Sequence, residues 1–560
     1  MNHKRWNLLP PIPDKLPVMS SGFSPLIAQL AYNRGIAEPS RLETFIAADE
    51  RLASDPFLLP DMHQAVARVY RALLSGENIA IYGDFDADGI TATALLVQGL
   101  SLLNGKVIPY IPSRVGEGHG LKTGVLEKLH REGISLVISV DCGITGLVPV
   151  RKACRMGLDV VITDHHAPPD EIPPAVAVID PKLPGSKYPF SELAGVGVAY
   201  KFLQALLLSL GREQLLNGVL DLVALGTVAD MVPLLSENRY LVKEGLKQLN
   251  TAPRLGIREM IAQSGLVEGN LASENISWVI APRLNTASRM EHALPSYELL
   301  MTDSPERAQQ LTTWLEKKNV ERQQLTSKAV TEAREQVYAQ GVLPLLMVSD
   351  ERYPAGISGL VAGRLSEEFN RPAVVVSVGK RTSSGSCRSI SEFNIIEALN
   401  RCGDLFSQFG GHARAAGFII PTRSLPQLRE RLLEMAAGQL AGVDLRPRLD
   451  IDAEIALSEL TGDAYESIQQ LAPFGQGNPL PTFLTRGVEV VDSRTMGSNG
   501  DHIRLKLRQD GIVWDAVGFG MGKELPKVSA LLDIVHNMEM DHWGGQTTLR
   551  LNLLDTAAVE

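Results

Sequence analysis

Apolar and polar positions along this chain follow two different periods. Between about 75 and 230, short apolar runs (Ile79-Ala80-Ile81, Ser135–Val140, Asp159–Thr163) alternate with segments of helical spacing (Ile90–Leu103, Gly124–Glu132, Thr145–Met156). That rhythm predicts βαβ units and a parallel sheet. Helical segments continue to about 300. Between Pro305 and Gly341 there is no further Gly or Pro, and Gln, Lys, Glu, Arg and Ala dominate. The stretch predicts one long charged helix, or two nearly continuous ones, that spaces two α/β units. The second unit has strands over 343–349 and 372–378 around a helix over 357–369. Gly385–Ile390 and Gly410–His412 have few bulky groups and read as loops or strand edges. From about Leu449 the period becomes two, as in His502-Ile-Arg-Leu-Lys-Leu507, with turn signals at Asn499-Gly500-Asp501 and Gly544-Gly545. This predicts a small antiparallel β-domain. The predicted class is therefore α/β. It comprises a Pro-rich, helical N-terminal segment over 1–60, a parallel-sheet domain over 61–303, a connecting helix over 304–341, a smaller α/β domain over 342–446 and a β-domain over 447–560.

The ends of the predicted strands carry the chemistry. Ile79-Ala-Ile81 runs into Tyr82-Gly83-Asp84-Phe85-Asp86-Ala87-Asp88-Gly89, Ser135–Val140 into Asp141-Cys142-Gly143, and Asp159–Thr163 into Asp164-His165-His166. Another apolar run, Leu222–Ala229, leads into Asp230 and reads as a fourth contributor. Parallel strands share one carboxyl edge, where open α/β sheets bind ligands. Each Asp alone is a good turn or N-cap residue. Together on one rim they repel one another unless a cation sits among them. Oxygen donors with imidazole and no thiolate pair suit Mn²⁺ or Mg²⁺ better than structural zinc. Two such ions are the usual apparatus of phosphoester hydrolysis.

Charge and composition refine this picture without changing it. At 560 residues the chain exceeds one core, and its 44% hydrophobic and 21% charged residues are ordinary for a globular protein. A net charge of −10 argues against nucleic-acid binding through a broad basic surface. It leaves room for a nuclease that relies on metal charge and a local line of Arg and Lys. No apolar stretch is long enough to span a bilayer, and the start of the chain lacks the apolar core of a signal peptide. Four Cys without a CxxC pair make no disulfide framework. A reducing cytoplasm is the expected setting.

The motifs Asp84-Phe-Asp86-Ala-Asp88, Asp141-Cys-Gly, Asp164-His165-His166 and Val228-Ala-Asp230 resemble those of the DHH phosphoesterases. Leu193–Tyr200, Ala281-Pro-Arg283-Leu-Asn285-Thr-Ala-Ser-Arg289, Gly410-Gly411-His412 and Pro473-Phe-Gly-Gln-Gly-Asn478 extend the likeness to the RecJ family of single-strand-specific exonucleases. The resemblance runs from about Ser21 to the carboxyl terminus. It implies a DHH domain, a DHHA1 domain and a C-terminal OB-fold barrel. It also implies hydrolysis of single-stranded DNA in the 5′→3′ direction with two Mn²⁺ or Mg²⁺ ions. Asp84, Asp86, Asp88, Asp141, His165 and Asp230 would be the ligands, Asp141 the bridging one. His166 would contact the phosphoryl oxygen or leaving group, and Asp164 would orient the imidazoles. Arg114, Arg283, Asn285, Arg289, Arg388, Ser389, Gly410, Gly411 and His412 would bind substrate. From the residues alone, internal salt bridges remain an alternative for the Arg283–Arg289 set, and a plain tight turn for Gly410–His412.

Two departures stand out. The family commonly has Tyr where this chain has His119, which argues against a specific role for that side chain. It usually has Trp-His where this chain has Tyr353-Pro354. The family further suggests a monomer that works with single-strand-binding protein and a RecQ-like helicase, away from membranes. Rival readings are a DHH phosphoesterase of oligoribonucleotides or nucleotides, which needs no β-domain, and a non-catalytic replication-fork scaffold, which typically lacks the motif carboxylates. Phe483, Trp514 and Trp543 are the candidates for base stacking in the β-domain.

Overall fold

The computed structural model describes residues 4–20, 22–114, 116–497, 499–522, 530–543 and 546–559. Two compact units are present: Met1–Ala53 with Leu234–Ser236 and Arg446–Glu560, and Ser54–Pro233 with Glu237–Leu445.

The larger unit contains both α/β sheets. The first holds β1 (Asn78–Gly83), β2 (Lys106–Tyr110), β3 (Leu136–Val140), β4 (Asp159–Thr163) and β5 (Ala177–Ile179), all parallel, in the order β2-β1-β3-β4-β5. β3 is buried along its whole length and β4 along all but its first residue, so these strands read as continuous apolar runs. Helices over Thr123–Arg131 and Leu147–Met156 share a core with one face. The other face packs on α1 (Ala87–Ser101) and α2 (Gly195–Leu210), which in turn contact α3 (Leu220–Ala229). The Leu222–Ala229 run is thus a buried helix, not a further strand. It is apolar on every side because it packs between neighbours, and such a run carries no period from which to tell helix from strand.

After α4 (Ala281–Met290) comes α5 (Pro305–Gln340), a single 36-residue helix N-capped by the Ser304 hydroxyl. The second sheet has the order β9-β10-β8-β7-β6, from β6 (Leu346–Asp350), β7 (Ala373–Ser377), β8 (Thr382–Arg388), β9 (Gln408–His412) and β10 (Ala415–Pro421). β6 and β7 are parallel and the remaining pairs antiparallel. The Gly385 segment, expected as a loop or edge, is the central strand β8. Its small buried residues leave room for the Phe418 ring, which a Cβ on Gly385 would meet at 2.1 Å. α6 (Ala355–Phe369) follows Pro354, which serves as its N-cap residue. Tyr353 is buried in the core beside this helix, and its hydroxyl accepts from Gln336.

In the smaller unit, strands over Phe483–Met496, His502–Gln509, Ile512–Gly518, Leu531–Trp543 and Gln546–Ala558 close into a barrel. The pairings are antiparallel except Ile512–Gly518 with Gln546–Ala558, which is parallel. The N-terminal segment is more than a helical prelude. Arg5–Leu8 pairs in parallel with Arg448–Ile451, and Ile27, Leu30, Leu42 and Phe45 of its helices join the barrel residues in one core. The Pro473–Asn478 motif is structural within this unit. Buried Asn478 donates to the Leu471 and Pro473 carbonyls and accepts from Arg34. No helix among the described residues is long and apolar enough to cross a membrane.

Candidate metal centre and phosphate site

Strand order reverses between β1 and β3, so the connections leaving them diverge and open a crevice at their carboxyl ends. The β1–α1 turn places Asp84, Asp86 and Asp88 there. Asp86 Oδ1 N-caps α1 through the Asp88 and Gly89 amides, both at 3.1 Å. Asp88 accepts from the first amides of α2, Gly195 N at 2.6 Å and Val196 N at 2.8 Å, where the helix terminus favours negative charge. Asp141, after β3, adopts φ +56, a conformation Asp tolerates better than most residues. The approach of α2 to it is so close that a Cβ on Gly195 would lie 2.5 Å from Asp141 Cβ.

His165 enters from the end of β4 with Nε2 at 3.1 Å from Asp141 Oδ1, 3.7 Å from Asp230 Oδ2 and 4.0 Å from Asp88 Oδ2. Asp230 sits at the end of α3. Three sets, Asp84–Asp86–Asp141, Asp88–His165–Asp230 and Asp141–His165–His166, each bring their donor atoms within 4.8 Å of one another. Asp141 is common to two of them, as a bridging carboxylate would be. Burial, and then Asp86, pushes Asp88 up to about 7. Burial and the neighbouring acids raise Asp141 and Asp230 well above the carboxylate range. Asp84 Oδ1 and both ring nitrogens of His165 are buried without a hydrogen-bond partner. Unpaired buried polar atoms are rare in proteins. Hard oxygens with one imidazole, in this repelling arrangement, fit a divalent cation.

Asp164 is fully committed to positioning. Its Oδ1 accepts from the His165 amide at 2.8 Å and from His166 Nδ1 at 2.7 Å, and its Oδ2 from the Ile144 amide. Burial opposes charge on His166, but the Asp164 hydrogen bond and carboxylate outweigh it and raise His166 to about 9. Burial, with that neighbouring charge, lowers His165 to about 3. One imidazole is therefore a cation and its neighbour a neutral donor atom.

A guanidinium cluster lies beside the acids. Arg114 stacks on Phe85 with Cζ 4.1 Å from the ring centre. Arg289 is pushed down by burial, and then by the charges of Arg114, Arg322 and Arg388. A guanidinium remains charged at neutral pH all the same. The hydrogen-bond partners of these four are neutral oxygens: Ser288 Oγ, the Gly356 carbonyl, Asn319 Oδ1 and the Cys387 carbonyl. His412, at the end of β9, stacks on His166 with ring centres 5.9 Å apart, bringing the second sheet over the metal rim. Gly410 is open to solvent, and Gly411 has φ +143 with Ala415 O 2.4 Å from where a Cβ would lie.

Other residues expected to bind substrate have internal partners. Arg283 pairs with Glu316 at 2.6 Å and donates to the Val279 carbonyl, so it ties α4 to α5. Asn285 Oδ1 accepts from the Ala87 amide and braces the β1–α1 turn. The Ser389 hydroxyl donates to the Phe393 carbonyl. In the barrel, Phe483 is fully buried and Trp514 packs against the core, while Trp543 lies outside the described side chains. Among the described residues of the barrel, Phe519 is an exposed aromatic ring, beside His502 and Arg550. Sequence reasoning passed over it, together with Arg322 and buried Asp180, and it discounted His119, which hydrogen-bonds Asp84.

Comparison with known proteins agrees with the fold and the domain order. Residues 78–227 match the DHH family N-terminal domain, 338–441 the DHHA1 domain and 451–555 the RecJ OB domain. The single-stranded-DNA-specific exonuclease RecJ of Bacillus subtilis is 36% identical over 99% of this chain and 71% of its own length. That of Dickeya dadantii is 32% identical over 96% of each. The crystal structure of RecJ with Mn²⁺ from Thermus thermophilus superposes with a TM-score of 0.86 at 30% identity, covering 99% of this chain and 80% of that one. With identity of this order over nearly its whole length, the chain belongs to the RecJ family.

Proposed function

We propose that this protein is a metal-dependent exonuclease that degrades single-stranded DNA from its 5′ end and releases mononucleotides. The observation that carries the reading is the convergence in one unit of buried carboxylates and imidazole with donor atoms within 4.8 Å of one another, beside guanidinium groups whose hydrogen bonds go to neutral oxygens.

Asp84, Asp86, Asp88, Asp141, His165 and Asp230 would hold two Mn²⁺ or Mg²⁺ ions, with Asp141 between them. Such ions, when bound, supply Lewis-acid activation of water and of the phosphodiester. His166 is held by Asp164 through Nδ1, which leaves its Nε2–H to donate to a phosphoryl oxygen. Its charge at neutral pH makes that hydrogen bond a strong one. Arg114, Arg289 and Arg388 present forked donors to a terminal phosphate, and His412 closes the same side from the second sheet. Asn285 holds the acidic turn in place. The barrel would bind the following single strand, with Phe519 and Arg550 offering stacking and charge. Action as a monomer in the cytoplasm, with single-strand-binding protein and a RecQ-like helicase supplying the strand, fits this activity.

The test is a time course on single strands labelled at the 5′ or the 3′ end, in Mn²⁺ and in Mg²⁺. A 5′ label should be released at once as mononucleotide, while a 3′-labelled strand shortens progressively. Immediate release of the 3′ label with an intact 5′ end would reverse the assigned polarity, and no cleavage in either metal would remove the activity.

A further inference from the structure

Residues 111–114 and 116–122, between β2 and the next helix, pack against the acidic turn. They form a built loop. Tyr110 Oη and the Ser113 amide both donate to Glu117, at 2.7 and 2.8 Å, and Tyr82 Oη donates to the Gly120 carbonyl at 3.2 Å. Two of its side chains grip the fully buried Phe85, which lies between Asp84 and Asp86. Arg114 is centred 4.1 Å from the ring, and the His119 imidazole packs on it with centroids 4.3 Å apart. His119 Nδ1 is also 2.9 Å from Asp84 Oδ2. A carboxylate only accepts, so Nδ1–H is the donor. The other oxygen of the same carboxylate, Asp84 Oδ1, is buried and has no partner.

We propose that His119 is a positioning residue for the metal centre: its Nδ1–H pins Asp84 Oδ2 so that Oδ1 faces the cation, and its ring clamps the Arg114 loop to the same turn. This rests on the metal-dependent reading above. A ligand carboxylate fixed by a partner outside the metal's own shell binds more tightly, because its rotamer is set before the ion arrives. Most of the His119 side chain is exposed, 68%, so its contacts to Asp84 and Phe85 are not imposed by burial in a core. The backbone is held as well, since Lys122 Nζ donates to the His119 carbonyl at 2.8 Å. A Tyr at this position, common in the family, carries its donor at the far end of a longer side chain and would not reproduce the Nδ1 contact. One residue here links a metal ligand to a phosphate-binding arginine, so occupancy of one site steadies the other.

The experiment uses the full-length protein, stripped of metal, and three variants. His119→Phe keeps a ring on Phe85 and removes the donor, His119→Gln keeps a donor and removes the ring, and His119→Ala removes both. Mn²⁺ binding is measured by calorimetry, folding by thermal unfolding, and kcat and KM on a 5′-phosphorylated single strand. H119F should fold normally and bind Mn²⁺ about 10–100-fold more weakly, the usual cost of losing a ligand's outer partner. Excess Mn²⁺ should restore its kcat, and H119Q should recover most of the affinity. H119A should add a rise in KM that Mn²⁺ does not correct. H119F binding Mn²⁺ as tightly as the parent would overturn the pinning role, and equal KM for H119A and H119F would overturn the clamp. A parent protein that binds no Mn²⁺ would instead overturn the functional reading, and this inference with it.

Discussion

The acidic rim and the guanidinium cluster are opposite solutions to one problem. Apart from Asp230 at the end of α3, the acids stand at strand ends and helix starts, several held by backbone amides: Asp86 and Asp88 by the first turns of α1 and α2, Asp164 by three main-chain N–H groups. Their positions follow from topology, because parallel strands deliver residues to one edge. The arginines come from a loop, two helices and a strand, and only nonlocal packing brings Arg114, Arg289, Arg322 and Arg388 together. Each cluster is electrostatically unfavourable alone and is tolerated because the apolar scaffold over-determines it. The acids are fixed to the degree that metal geometry requires. The arginines need only converge on an anion.

The largest effect expected from this contrast concerns Asp141. Asp141→Asn keeps a side chain that accepts φ +56 but removes the charge shared by two donor sets. Turnover should be lost well beyond the roughly 10–100-fold cost of removing an outer partner of a ligand. The metal-free variant should also melt at a higher temperature than the parent, since Asn at 141 requires neither a buried charge nor the proton uptake that adds to the cost of burying Asp. Near-normal turnover at saturating Mn²⁺ would break the assignment of the acids as a metal site.

Acidity should distinguish the two clusters next. The Asp88 carboxyl is raised to about 7, and Asp141 and Asp230 move the same way. Between the ordinary carboxylate value and about 7 the folded protein therefore binds more protons than the unfolded chain. The metal-free protein should lose stability as pH rises through that window, and Mn²⁺ should restore it. Protons and metal compete for the same oxygens, so Mn²⁺ affinity should fall about tenfold per pH unit below about 7 for each proton displaced. The arginines keep their charge throughout and should show no such slope for sulfate, an anion whose charge is constant over the same range. Calorimetric titrations across this range would expose a flat Mn²⁺ affinity, which the charged-acid picture forbids.

A smaller and more selective effect is expected at Arg289. Arg289→Gln should raise KM for a 5′-phosphorylated strand roughly 10–100-fold, from about 1.5–3 kcal/mol per charge-assisted hydrogen bond. A 5′-hydroxyl strand should suffer much less. Equal losses on both would make Arg289 a structural residue like Arg283. The smallest effect belongs to the barrel. Phe519→Ala should weaken binding of long single strands about fivefold, near the lower end of base stacking on an aromatic ring, and leave cleavage of short oligonucleotides unchanged. Unchanged affinity for long strands would remove Phe519 from the binding surface.

How legible these features were from sequence follows the same division. Strand ends and acids are local patterns, and Asp84, Asp86, Asp88, Asp141 and His165 could be read from period and turn chemistry. Asp230 was found, but on the wrong element, because a helix buried on every side shows no period. The arginines were harder. Arg283, Asn285 and Arg289 look equivalent in sequence, and only Glu316 on α5 and the Ala87 amide reveal which of them already have partners. Size favoured Phe483 and Trp514 in the barrel. Alternation along Val513–Phe519, with Trp514 and Ala516 on the same face, already pointed Trp514 inward. A cut near Leu449 is a poor probe of the barrel, since it would also strip the helices of the N-terminal segment of the core they share with it.

The long helix α5 has a mechanical consequence. Its 36 residues form a rod of roughly 54 Å. Arg283–Glu316 ties its first half to α4, and Arg334–Glu368 and Gln336–Tyr353 tie its second half to α6 and the segment just before it. With no Gly or Pro beyond its first residue, a beam pinned along both halves bends only by giving up those contacts. The spacing of His166 and His412 is therefore set before any strand arrives. A rigid rod, and not a flexible tether, thus keeps these two imidazole-bearing edges, one from each sheet, facing each other.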